Sequence, residues 1–154
     1  MKNISILFIC LGNICRSPMA EMIMRHLTEN AGLQDKIQVA SAGTASWHRG
    51  ESMHCATQDV LQKHNIKISP FTARAIADDA LQHFDYIAVM DNQNLSDVEK
   101  ILGKNPQRIF KLTNFISDTD FVPDPWYDGR FEEVYDIIYR SCVAWLDSLQ
   151  KSLQ

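Results

Sequence analysis

Little in this sequence interrupts a folded chain. It holds six glycines and five prolines among 154 residues, too few for a collagen-like or linker-rich polypeptide, and no segment repeats. No apolar run approaches the ~20 residues a bilayer crossing needs. The longest, Ile4 to Leu11, is short and contains Ser5, so neither a membrane span nor a signal peptide is expected. Cysteine is sparse as well. Cys10, Cys15, Cys55 and Cys142 have no repeating spacing, which argues against a disulfide framework and for reduced thiols in a cytoplasm. Nor do they form a regular zinc pattern with His48 or His54, and Arg16 beside them would repel a cation, so no metal and no cofactor are expected. The glycine signatures of dinucleotide and nucleoside-triphosphate sites are missing. Basic side chains are outnumbered fifteen to nineteen, for a net charge of −4, so nucleic acid is not an expected partner.

What is present is the balance of an ordinary globule, 45% hydrophobic and 22% charged, at a length that suits a single domain over residues 1–154. The charge is uneven. Residues 1–50 carry five basic and three acidic side chains against ten and sixteen in the remainder, so an anion site is better sought near the start of the chain.

Ile4 to Cys10 is a short apolar run of β-prone residues, the pattern of a strand buried on both faces. Ser17-Pro18 reads as a cap and first turn, and Met19, Ala20, Ile23 and Leu27 follow at helical spacing. Further along, Lys36 to Ala40, Tyr86 to Met90 and Arg108 to Leu112 are strand candidates. Met53 to His64, Ala75 to His83 and Leu95 to Leu102 are helical ones. Asn65 is placed to end the second helix in a left-handed conformation. From Phe131 to Leu149 the apolar positions keep a 3.6-residue period, which predicts a long amphipathic last helix with Trp145 in the core. Such alternation predicts an α/β fold: a doubly wound, Rossmann-like, four-stranded parallel sheet with helices on both faces. Ligands are expected at the carboxyl ends of its strands.

The segment Cys10-Leu11-Gly12-Asn13-Ile14-Cys15-Arg16-Ser17-Pro18 falls where the first strand gives way to the first helix. A turn there directs successive backbone N–H groups and the positive helix end at one point, a natural seat for a tetrahedral oxyanion. Gly12 and Asn13 accept unusual backbone angles. Arg16 offers two phosphate oxygens a planar fork that lysine could not copy. Cys10 lies beneath, where the same groups favour thiolate. A free cysteine, with a pKa of ~8.5, is only slightly ionised at neutral pH, so this setting would convert a weak nucleophile into a ready one. Ser17 can donate its hydroxyl to that sulfur. Taken singly, a strand cysteine and a solvated arginine are the ordinary reading of each residue; it is their placement around one strand-to-helix turn that carries the inference.

Phosphate-ester cleavage needs a proton for the leaving group and later a base for water. Asp118, Asp120, Asp124 and Asp128 occupy the one long loop, around Ser117 to Arg130. Asp124 is chosen because Pro123 and Pro125 flank it and pin its direction without a regular element. Trp126 and Tyr127 next to it, and Trp47 after the second strand, are placed to wall a deep slot that fits a flat phenyl ring and holds a shorter phosphoserine back. Cys55 and Cys142 read as packing residues, and the five histidines as surface or capping groups.

With Cys10 to Pro18, Ser41-Ala42-Gly43-Thr44 and Asp124-Pro125-Trp126-Tyr127 in order, the chain resembles the low molecular weight protein tyrosine phosphatases from end to end. The resemblance implies a metal-free hydrolysis of phosphotyrosine and small aryl phosphates through a phosphocysteine on Cys10. Arg16 then binds phosphate, Asp124 serves as general acid and base, and Asn13, Ser17 and Ser41 brace the loop. Leu11, Gly12, Asn13, Ile14, Cys15, Ser17, Trp47, Trp126 and Tyr127 become the substrate contacts, and Cys15 a partner for a reversible protective disulfide with Cys10. Phosphotyrosine proteins are the implied substrates, and oxyanions such as phosphate or vanadate the implied inhibitors. Three departures stand out. Phe71 occupies a position where many members brace the loop with histidine, so that network must be satisfied differently here. Met53 to Ala56 lacks the proline-rich, arginine-bearing turn that is frequent in the family. Trp126 and Tyr127 replace the paired tyrosines of some members. Protein arginine phosphatases and arsenate reductases share the cysteine loop, and a non-catalytic phosphopeptide-binding module is the reading from another class. In the arginine phosphatases the position of Ile14 tends to be threonine; a reductase needs two further relay cysteines, which Cys55 and Cys142 do not make.

Overall fold

A computed structural model of the chain describes residues 3–76 and 83–153. Strand β1 (Ile4–Cys10) leads into helix α1 (Arg16–Asn30), followed by β2 (Ile37–Gly43), α2 (Cys55–Lys63), β3 (Tyr86–Val89) and α3 (Asn92–Leu102). Then come β4 (Ile109–Lys111), a 3-10 turn at Leu112–Phe115, the one-turn helix α4 (Pro125–Asp128) and the long α5 (Phe131–Ser152). The four strands are parallel in the order β2-β1-β3-β4. The chain leaves β1 toward one edge and returns past it toward the other, so the crevice at the carboxyl end of β1 is the topological switch point.

The sheet is covered on both faces, as the alternation of elements predicts. In β1, Ile4, Ile6, Phe8 and Cys10 join the larger core with Met19 and Ile23 of α1 and Ile138, Cys142 and Trp145 of α5. Leu7 and Ile9 point the other way, onto Ile87, Val89, Val98 and Ile109. That two-residue period carries the Cys10 side chain to the α1 side of the sheet just as the strand ends. Among the described residues no helix is long and apolar enough to cross a membrane.

Local differences from the sequence reading have physical causes. β2 runs on past Ala40 to pair Gly43 with Cys10, because the Ser41 hydroxyl finds buried partners in Asn13 and Glu21. α1 starts at Arg16, and its cap position is Cys15 with no side-chain bond; Ser17 lies inside the helix with its hydroxyl engaged elsewhere. α3 begins at Asn92, ahead of Leu95, since Asp91 accepts the Asn94 N–H at 2.8 Å. Asn65 is left-handed as expected, with φ 60°. The helical stretch predicted for 75–83 falls largely on residues 77–82, outside the described residues; Ala75 before them makes a bridge to Gly43.

Candidate active site

The loop between β1 and α1 is shaped from beneath by Asn13. This residue is fully buried and left-handed, with φ 58°. Its Oδ1 accepts the Arg74 N–H at 2.9 Å, and its Nδ2 donates to Ser17 Oγ and Ser41 Oγ, each at 2.9 Å. Ser41 in turn donates to Glu21 Oε1 at 2.6 Å, and Glu21 Oε2 accepts from Arg25 at 2.7 Å. The network that lacks a histidine at Phe71 is thus completed by the Arg74 backbone and by Glu21. Burial raises the Glu21 carboxyl above its ordinary value, against the pull of Ser41, Arg25 and Arg74.

The backbone beside the loop is equally close. Thr44 and Ala45 donate to the Cys10 and Leu11 carbonyls at 2.9 Å each, and the His54 N–H donates to the Ile14 carbonyl at 2.8 Å. A Cβ on Gly43 would stand 2.8 Å from the Leu11 carbonyl oxygen, which is why β2 ends in glycine. Gly12 has no left-handed backbone angle to accommodate, but a Cβ there would lie 2.8 Å from Cδ2 of His48 and displace that ring.

Cys10 Sγ lies 3.0 Å from Ser17 Oγ. Arg16 is 2% exposed, and its Nη1 donates to Asp91 at 2.7 Å and to the Val122 carbonyl at 2.9 Å, while Nη2 is 3.6 Å from Asp124 Oδ2. Burial opposes its charge, but the negative groups Cys10, Asp91 and Asp124 outweigh it and hold the guanidinium above its ordinary pKa. So fixed, the guanidinium stays charged and aimed into the site. Cys15 behaves differently from its neighbour. Burial, with Cys10 and Asp124 adding to it, pushes its thiol up to about 12, so at neutral pH it remains a thiol.

Asp124 is more tightly placed than a proline-flanked loop residue would be. It caps α4, with Oδ1 accepting the Trp126 N–H at 3.1 Å, and Gly129 ends that turn at φ 75°. The cavity here, of about 200 Å³, is lined by Cys10, Leu11, Gly12, Ile14, Cys15, Arg16, Trp47, Asp124, Trp126 and Tyr127, all anticipated from the sequence. Asn13, Ser17 and Ser41 do not line it; each is fully buried and acts from below. His48, next to Trp47 and read from the sequence as a surface or capping group, also lines the slot. Asp91 was passed over, although a carboxylate directly after a buried strand, at the ligand edge of the sheet, was the available signal. Cys55, read as a packing residue, is instead exposed at the start of α2, whereas Cys142 is buried.

A family-level match to the description "Low molecular weight phosphotyrosine protein phosphatase" covers residues 5–154. The chain belongs to this family. It is similar to the low molecular weight protein-tyrosine-phosphatase YfkJ of Bacillus subtilis, with 44% identity over 98% of this chain and 99% of that one. The crystal structure of YfkJ superposes with a TM-score of 0.94 at 43% identity, covering 100% and 99% of the two chains. The phosphatase PtpA of Staphylococcus aureus is 42% identical over 96% of this chain and 95% of its own. The Drosophila arginine phosphatase shares the fold at a TM-score of 0.84 and 35% identity, over 97% and 98% of the chains. As a member of its family, this phosphatase is a hydrolase acting on phosphotyrosine.

Proposed function

We propose that this phosphatase, working as one domain over residues 1–154, cleaves phosphotyrosine and small aryl phosphates in two displacements at Cys10. In the first, the Cys10 thiolate attacks phosphorus: an S–P bond forms, the P–O bond to the aryl group breaks, and Asp124 delivers its proton to the departing phenolate. In the second, Asp124 takes a proton from water, the water oxygen bonds to phosphorus, and the S–P bond breaks to release phosphate and the thiolate. Arg16 and the N–H groups of the loop hold the equatorial oxygens through both steps, where charge is spread. The observation that supports this reading best is the convergence on one cavity of the Cys10 sulfur beside Ser17, a buried guanidinium and the Asp124 carboxyl, a quarter exposed.

Exposed Trp47, Trp126 and Tyr127 at the mouth suit a flat ring on a phosphoprotein, and apolar Ile14 on the wall suits an aryl ester over a guanidinium. Free phosphate and vanadate are the expected inhibitors, since they fill the same oxyanion seat. Four free cysteines suit a reducing, cytoplasmic setting, in which Cys15 can close a reversible disulfide onto Cys10 under oxidation. The test is turnover of phosphotyrosine, phosphoserine and phosphoarginine peptides by the parent enzyme and by Cys10→Ser. Hydrolysis of the phosphotyrosine peptide alone, lost in the variant while vanadate still binds, is expected. Turnover that survives Cys10→Ser rejects the nucleophile, and faster phosphoarginine cleavage rejects the substrate.

A further inference from the structure

His54 touches three parts of the site at once. Its backbone N–H donates to the Ile14 carbonyl of the phosphate-binding loop at 2.8 Å. Its Nδ1 accepts the Ala56 N–H at 3.0 Å and so caps α2. Its ring lies edge-on to Trp126, with centroids 5.5 Å apart, and stacks on Phe131 at 5.1 Å. Trp126 is the residue whose N–H is held by Asp124, and His48 closes on the same indole at 5.7 Å. With Nδ1 taken up by the Ala56 N–H, the ring meets Trp126 as an edge-on packing partner.

We propose that His54 is the positioning residue that sets the acid loop against the phosphate-binding loop. Backbone and Nδ1 tie it to the loop of Cys10 and to α2, and its ring is the stop against which Trp126, and through it Asp124, comes to rest. The side-chain tie from Arg16 to Asp124 is long, 3.6 Å, and Trp126 is 52% exposed, so the indole needs a firm neighbour to fix the rim carboxyl over the slot. A displaced general acid penalises esters whose leaving group needs a proton and spares those whose leaving group does not.

The inference rests on Asp124 as general acid, and two substitutions divide the ring from the cap. His54→Asn keeps a capping acceptor and removes the ring; His54→Phe keeps the ring and removes the acceptor. The quantity read is kcat/KM for phenyl phosphate divided by kcat/KM for p-nitrophenyl phosphate, with the inhibition constant of inorganic phosphate reporting an intact oxyanion seat. In His54→Asn the ratio is expected to fall about fivefold, the factor that corresponds to losing one aromatic contact, at unchanged phosphate inhibition. In His54→Phe it stays near the parent value. Asp124→Ala lowers the ratio at least as far, and adding His54→Asn to it lowers it no further. An equal loss on both esters in His54→Asn, an unmoved ratio, or the same fall in His54→Phe overturns the role given to His54. A ratio that does not move in Asp124→Ala overturns the acid itself, a separate failure.

Discussion

The Ser17 hydroxyl lies 3.0 Å from the Cys10 sulfur, and Asn13 turns its proton away from itself by donating to the same oxygen. Asn13 Oδ1 is committed to the Arg74 N–H, so both protons of its Nδ2 go to the serine oxygens. Ser17 and Ser41 each receive a hydrogen bond and must send their own protons onward. For Ser41 the acceptor is Glu21 at 2.6 Å. For Ser17 the choices are the sulfur at 3.0 Å and the Ala42 carbonyl at 3.4 Å; the sulfur is the nearer and, as the nucleophile of the proposed reaction, the one that would carry charge.

Ser17→Ala is accordingly expected to slow the step in which the sulfur leaves phosphorus. A hydrogen bond to a charged group is worth about 1.5–3 kcal/mol, which corresponds to a kcat lower by about one to two orders of magnitude. Rapid-mixing kinetics should show a retained burst of phenol followed by slow turnover. A variant with the parent kcat would mean that the proton goes to Ala42.

Gly12 and His48 should behave as one unit. The Cβ of Gly12→Ala would meet the His48 ring at 2.8 Å, and His48 is held by Glu51 at 3.0 Å and by contact with Trp126. Overpacking of this type costs about 1–3 kcal/mol, and here the strain falls on a wall of the slot. A lower kcat/KM for aryl phosphates is expected in Gly12→Ala, with most of the loss recovered in Gly12→Ala combined with His48→Ala. If the second substitution restores nothing, the glycine is required by the loop backbone and not by the histidine.

Strand β1 and the phosphate turn were legible in the sequence because both are local. Apolar β1 and the Cys10 to Ser17 spacing need no knowledge of distant residues, and Asp124 betrayed itself by its two prolines. The groups that escaped are those whose role comes from the other end of the chain in space. Asp91 matters because β3 lies beside β1 and brings it to Arg16. Glu21 matters because β2 carries Ser41 over the first turns of α1. His48 and His54 read as surface or capping groups, and His54 does cap α2, but nothing local says that Trp126 comes to rest between them. The short α4 was hidden by Pro125, which breaks a helix in its interior yet suits its first position.

Alkaline pH should weaken the fold through Cys15. Its folded pKa is raised from 9.0 to about 12, so the thiol form is favoured by folding. The stability this contributes is complete below the unfolded value, near pH 9, and is lost as pH rises toward 12. Urea midpoints of the parent and Cys15→Ala should converge across that window, the parent losing more. Parallel curves would show that the thiol is better hydrated than its burial implies.

Glu21 gives a test of the same sign at the acid end, and it reaches the chemistry as well as the fold. Burial holds its folded pKa above the ordinary 4.5. The folded state therefore keeps this proton to higher pH than the unfolded chain does. Its stabilising effect is complete below about pH 4.5 and is lost as pH rises through the folded value. Glu21→Gln has no such charge to bury, so its stability relative to the parent should rise with pH from 4.5 upward, and urea denaturation at several pH values would show it. The glutamine also keeps an acceptor for the Ser41 proton, so turnover should survive. Glu21→Ala removes that acceptor and frees Ser41 to turn its proton back toward Asn13, against the donors that face it. Turnover should then fall even where the fold is intact by phosphate binding. Equal activity in the two variants would mean that the hydrogen-bond direction set at Glu21 does not reach Cys10.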